Sequence, residues 1–287
     1  MVASYFVQRT NSSVSRAAAW FVIGILALIT AICGVFWILD AQVPEWFTVA
    51  GRWLPALISV IVLRLTALPG GLASWWALHP GGFRRLLTGA ATGIAVLLAV
   101  YALSAAVLTV VTDAELQPWS VLGPVAVMLI PSILMFSLST LGEEVGWRGF
   151  LQQALPWGFW RSATVVAAVW VAFHIPLHGV MAAQGTISWS IAVTMTLGLF
   201  PLGLLLSALV HRFASVWPAV FGHALPLSAL NLVADAGEVT GAGQALLATV
   251  TGLLLVLVAW WIVRTGPAPT ISTPAGSARE AGAPGAR

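Results

Sequence analysis

The decisive stretch is Leu141-Gly142-Glu143-Glu144-Val145-Gly146-Trp147-Arg148-Gly149-Phe150. It sets two adjacent carboxylates and an arginine at the foot of a long apolar run, in a chain that otherwise keeps its charges in short connecting segments. A carboxylate near hydrocarbon costs about 2.5–3.5 kcal/mol even on insertion scales, so two neighbours there point to a functional site. On a helix Glu144 and Arg148 stand at i,i+4 and can pair, whereas Glu143 points about 100° away from Glu144 and has no such local partner.

The sequence around that stretch is written for a bilayer. Of 287 residues, 60% are apolar and 7% are charged, against about 25% charged in soluble domains. So few charges cannot cover a water-facing surface, and an all-α, polytopic membrane helix bundle is the expected fold. The twelve basic residues are all Arg, and a net charge of +3 resting on so few groups gives no nucleic-acid-binding face. The single cysteine, Cys33, rules out an intrachain disulfide and leaves the redox compartment open. No cleavable signal is expected, because the first apolar run is long enough to span and no small-residue cleavage site clearly follows it.

A span needs about 20 apolar residues. On that measure eight are expected, at roughly 17–39, 53–69, 87–112, 121–142, 162–182, 188–210, 214–233 and 242–263, the second being the shortest. The chain then divides into a cytoplasmic tail at 1–16, a bundle at 17–265 and a Pro-, Ala- and Gly-rich tail at 266–287 that is expected to be disordered. Orientation follows from the arginines, which short cytoplasmic loops retain. With the N-terminus inside, the inner segments hold Arg9, Arg16, Arg84, Arg85, Arg148, Arg161, Arg212, Arg264, Arg279 and Arg287, ten of the twelve. The outer segments hold only Arg52, beside Asp40, Glu45, Asp113, Glu115, Asp235 and Glu238. Both termini are therefore expected in the cytoplasm, with Arg64 snorkelling from the inner end of the second span.

Few other polar side chains remain at membrane depth. His174, in Trp170-Val-Ala-Phe-His174-Ile-Pro176-Leu-His178, falls about 18 Å along the fifth span. His223, between Pro218 and Pro226, reaches about 15 Å from the same side on the seventh, and Asn231 lies two turns beyond it. His178 makes an HxxxH pair with His174, which can ligate zinc, but no intervening glutamate supports a zincin reading and Pro176 distorts the turn. His79 and His211 fall in loops. Glu143, His174 and His223 together supply what peptide hydrolysis needs: a carboxylate to take a proton from water, an imidazole to orient that water or hold a metal, and a further imidazole or amide at the oxyanion. There is no GxSxG, and the lone cysteine has no evident partner histidine.

At these residues the sequence resembles the CAAX-protease and bacteriocin-processing (CPBP, or Abi) family of intramembrane endopeptidases. The EExxxR motif is met by Glu143-Glu144-Val-Gly-Trp-Arg148 and continued by Gly149-Phe150. An aromatic residue four positions ahead of a histidine is met by Trp170 and His174, and a Ser-x-Trp-Pro entry to a third histidine by Ser215-Val-Trp217-Pro218 and His223. The match covers about residues 120–233. Where the family carries Asn or Asp four residues after the third histidine this chain has Leu227, with Asn231 one turn later.

The resemblance implies a bundle of about eight helices with a water-accessible cavity opening toward the cytoplasm. It makes Glu143 the base that activates water with His174, His223 the oxyanion partner, and Glu144 and Arg148 the holders of the motif helix; either Asn231 takes the place of the missing amide through a distorted turn near Pro226, or the oxyanion site lacks its amide. It leaves the cofactor open, since Glu143, His174 and His223 make either a three-ligand zinc set, as in a metalloprotease, or a metal-free water site. The implied activity is hydrolysis of a peptide bond in a membrane-associated or lipidated protein or peptide, with membrane lipid as the other partner. The alternative is a non-catalytic membrane scaffold serving bacteriocin immunity or partner binding. A proton-coupled transporter is a third reading, opposed by the lack of paired broken helices in matching halves. Lys-free, Ala- and Arg-rich composition suggests a prokaryotic plasma membrane.

Overall fold

A computed structural model describes residues 2–266 apart from Glu238, and the side chains of 12–237 and 239–266. The expected disordered tail lies outside the described residues save for Gly266, as do Arg279 and Arg287. The chain is all-α. Its helices are α1 (Val2–Ile38), α2 (Glu45–Ala50), α3 (Leu54–Thr66), α4 (Leu72–Trp75), α5 (Phe83–Val111), α6 (Trp119–Glu144), α7 (Gln152–Ala154), α8 (Phe159–Ala183), α9 (Trp189–Phe213), α10 (Trp217–His223) and α11 (Gly241–Thr265).

Seven stretches among the described residues are long and apolar enough to cross a membrane, not the eight expected. The span expected at 214–233 is the difference. It contains only α10 and a four-residue 3-10 turn at Ala229–Leu232, with irregular backbone between them. Pro218 sits in the first turn of α10, where its missing N–H costs nothing, but Pro226 cannot continue a helix. The segment nevertheless runs from one end of the bundle to the other. At its start Val216 N–H and Trp217 Nε1–H donate to the carbonyls of Ala77 and Leu78, while at its end Val233 bridges Leu116 in the α5–α6 connection. Irregular backbone at this depth is tolerated because it is packed between helices rather than facing lipid.

The second crossing starts earlier than expected, running through α2, a 3-10 turn at Gly51–Trp53 and α3 as one stretch from Glu45 to Thr66. The fourth extends further. α6 continues through a π-helix at Val145–Leu151 into α7, giving an unbroken stretch from Trp119 to Ala154. Glu143, Glu144 and Arg148 are therefore buried within a helix, not at its wet end, and Arg148 belongs to no cytoplasmic loop.

Outward faces are apolar, as a lipid solvent requires: Ile23, Val127, Leu138, Leu197 and Leu253 are all exposed. The tryptophans explain themselves in the same frame. Exposed Trp37, Trp46, Trp119 and Trp189 stand at one end of the helices, and Trp157, Trp160, Trp260 and Trp261 at the other. Amphipathic indoles settle at both membrane–water interfaces, so two belts are expected of a spanning bundle.

Candidate active site

Three glycines, Gly142, Gly146 and Gly149, let the motif helix meet α3 and its neighbours backbone to backbone. A Cβ at Gly142 would lie 2.7 Å from the Arg52 carbonyl oxygen, one at Gly146 would run into Pro55 Cβ, and one at Gly149 would lie 2.9 Å from Trp76 Cα. Small residues at such spacing are how membrane helices approach closely. Here the approach carries Arg52 to the carboxylates. On the other flank Gly93 of α5 lies under the Pro218 carbonyl, with no room for a Cβ, which seats α10 and with it His223.

The π-helix begins directly after Glu144 and holds Arg148. Such widened turns are rare and concentrate at functional sites. In this chain it leaves Arg148 one turn from Glu144, Nη1 donating to Oε1 at 3.0 Å with both side chains fully buried. The same Oε1 accepts from His223 Nδ1 at 2.8 Å. Glu144 thus ties α6, the π-turn and α10 together.

Glu143 faces elsewhere. Its Oε2 accepts from Trp170 Nε1 at 2.8 Å, and its Oε1 lies 3.5 Å from Arg52 Nε. Trp170 is the hub of the site: the Arg148 guanidinium lies 4.3 Å over its ring, and the His174 and His223 rings meet it edge-on at 5.6 and 5.3 Å. One indole therefore organises an ion pair on its face, two imidazoles at its edges and a carboxylate at its N–H.

Hydrogen-bond logic fixes the imidazoles. His174 Nδ1 lies 2.9 Å from the Trp170 backbone oxygen, which can only accept, so Nδ1 carries the proton and Nε2 is the free acceptor of the neutral ring. His178 follows the same rule. Thr196 Oγ1 donates to the Ala192 carbonyl and so accepts from His178 Nδ1 at 2.7 Å. An ionised Glu144 likewise makes His223 Nδ1 the donor. Each histidine is oriented through Nδ1 and presents Nε2.

A cavity of about 190 Å³ lies against this cluster. Glu143, His174, His178 and Arg52 line it together with apolar groups from Ile29, Phe47 and Met195. Of the residues singled out in the sequence, the structure brings Glu143, Glu144, Arg148, His174 and His223 into one cluster. Asn231 is not among them. Its Oδ1 accepts from the Ser228 N–H and hydroxyl at 2.7 and 2.8 Å, capping the 3-10 turn, so its amide oxygen is committed there. The residue that the sequence reading misses is Arg52, which it places in an outer segment. The signal was available as a cation seven residues after Glu45 in a stretch that, counted from Glu45, is one span.

The arrangement does not fit the three-ligand zinc set of Glu143, His174 and His223. Among the described residues no three carboxylate, imidazole or thiol groups converge as metal ligands. Glu143 directs its oxygens at an indole N–H and a guanidinium. Two arginines beside the carboxylates also oppose a dication.

The helices that carry this cluster are the ones the family comparison picks out. Residues 117–226 match the family model of Rce1-like type II CAAX prenyl endopeptidases. The CAAX-protease resemblance read from the motifs is borne out, and the Rce1-like match points to an intramembrane protease. The matched segment opens at α6 and closes at Pro226, so it includes every clustered motif residue and leaves out both Arg52 and Asn231. A comparison with curated proteins finds no match to the chain.

Proposed function

We propose that this chain is an intramembrane endopeptidase whose base is Glu143. The observation that carries the reading is the pairing, in one cavity, of the Glu143 carboxylate with the free Nε2 of His174. A water held between them loses one proton to Glu143 while its other hydrogen is accepted by His174. Its oxygen then bonds to the carbonyl carbon of the peptide. The carbonyl oxygen takes up the negative charge, and collapse of the tetrahedral species breaks the C–N bond as Glu143 returns its proton to the departing amine.

Charge developing on the carbonyl oxygen needs a donor, and His223 already directs Nδ1 at Glu144. Arg52 supplies it. Its Nε lies beside Glu143, and its terminal nitrogens make no other hydrogen bond or ion pair among the described residues. Arg52 thereby takes the oxyanion role that the family resemblance assigns to His223 and an amide. Guanidinium groups aimed at developing charge in a dry site are among the strongest electrostatic contributors to catalysis. His223 and Arg148 act through Glu144, which holds the helix that aims Glu143.

The substrate is a peptide bond in a membrane-associated or lipidated protein or peptide, in keeping with the cavity's apolar lining, and composition favours a prokaryotic plasma membrane. The test is turnover of lipid-anchored fluorogenic peptides by the protein in proteoliposomes. Wild type cuts and Glu143→Ala, folded to the same thermal midpoint, does not. A wild type that binds such peptides without cutting any of them, with Glu143→Ala indistinguishable from it, would replace this reading by the scaffold one.

A further inference from the structure

The two ends of the bundle are chemically unlike, and the cavity belongs to one of them. One end is assembled from the connections 39–44, 112–118 and 184–188 and the stretch after Val233. Gln184 Nε2 donates to the Ala41 carbonyl, Thr186 Oγ1 to Gln42 Oε1, and Ala234 N–H to the Glu115 carbonyl. That end carries Asp40, Asp113, Glu115 and Asp235 and, among the described residues, no arginine. The other end gathers the starts of α1, α5 and α8 and the ends of α3, α9 and α11. There lie Arg16, Arg64, Arg84, Arg85, Arg161, Arg212 and Arg264. Arg52, at neither end, is turned onto Glu143.

Lining residues place the cavity on the arginine-free side. From Glu143 and His174 it rises past Thr48 of α2 and Met181, in the last turn of α8, to Ile187 in the α8–α9 connection. None of the lining residues comes from the arginine-bearing connections. Basic residues in short loops are retained in the cytoplasm, whereas acidic ones count little, so an asymmetry this one-sided orients the bundle.

We infer that the Glu143 cavity opens to the extracytoplasmic side of the membrane and receives apolar peptide segments presented from the outer leaflet or beyond it. This reverses the expectation of a cytoplasmic opening: the charge pattern that sets the termini inside sets the cavity mouth outside. Its substrate half rests on the endopeptidase reading, and its sidedness half does not. The substrate class is an exported, membrane-tethered peptide or protein, and segments held in the cytoplasm do not reach the carboxylate.

The test uses a Cys33→Ser background carrying Gln42→Cys in the 39–44 connection at the arginine-free end, Thr48→Cys in the cavity lining or His79→Cys at the opposite end. Each is exposed to a membrane-impermeant maleimide in right-side-out and in inside-out vesicles. Gln42→Cys is expected to label from the outside and His79→Cys only in inverted vesicles, with Thr48→Cys following Gln42→Cys. Labelling of Gln42→Cys only in inverted vesicles, or of Thr48→Cys only there, would overturn the proposal. These readouts need no activity, so a wrong sidedness and a wrong protease assignment give separate results. For the substrate half, impermeant peptide added outside right-side-out vesicles should be cut, and cutting confined to inverted vesicles would overturn it.

Discussion

Glu143 and Glu144 are neighbours in the chain and opposites in the fold. Glu144 is sealed between Arg148 and His223, with a side chain showing no exposure at all, while Glu143 shares a cavity wall with His174 and Arg52. A helix turns about 100° per residue, so adjacent positions face different surroundings, and here one faces the scaffold and the other the chemistry. The difference teaches that a paired-carboxylate motif need not be a pair of catalysts: one acid is spent on holding the widened turn so that the other can be aimed.

Several substitutions would break or sharpen that contrast. Arg148→Ala strips the cation from a buried carboxylate and should cost about 3–5 kcal/mol of stability. It would show as a large drop in thermal midpoint or as loss of folded protein, and an unshifted midpoint would deny Glu144 its structural part. Arg52→Gln sits on the chemical side. Its turnover should fall about 10²–10³-fold, the cost of one oxyanion donor, with the midpoint and substrate affinity little changed. Partial rescue by Arg52→Lys would separate charge from shape.

Trp170→Phe touches both sides at once. It keeps the ring between the imidazoles but removes the N–H that holds Glu143, a charge-assisted bond of about 1.5–3 kcal/mol. That loss should appear in turnover more than in stability. The smallest effect expected is from Gly146→Ala, whose methyl would press on Pro55 and push α3 away, at about 1–3 kcal/mol of overpacking. Because Arg52 lies in the 3-10 turn that leads directly into α3, the same variant should also lower turnover, whereas Gly158→Ala, where a Cβ meets nothing within 4 Å, should change neither.

Much of this was legible in the sequence. A low charge count and long apolar runs are enough for a helical membrane bundle, because hydrocarbon leaves no other way to satisfy the backbone. The EExxxR run and the two histidines were visible as polar groups at a depth where polar groups are costly. What escaped has physical reasons. Hydropathy sees average composition, so it read 214–233 as a span although Pro218 and Pro226 mark it as broken. It also ended the fourth span at the first charge, when Glu144 and Arg148 are a buried pair that lets the helix run on to Ala154. Arg52 falls in the outer loop when the second span is started at 53, and it lies inside the span once the start is moved back to Glu45. The placing of Asn231 two turns beyond His223 counts helical turns through a segment that is not helical.

The most direct test is to measure turnover and thermal midpoint together for Glu143→Gln and Glu144→Gln, two substitutions identical in chemistry and one position apart. Glu143→Gln should lose about 10²–10⁴-fold in rate, the range for a general base, with its midpoint unchanged. Glu144→Gln should lower the midpoint, with any loss of rate following the loss of folded protein. A Glu143→Gln protein that still cuts at the wild-type rate would contradict the account.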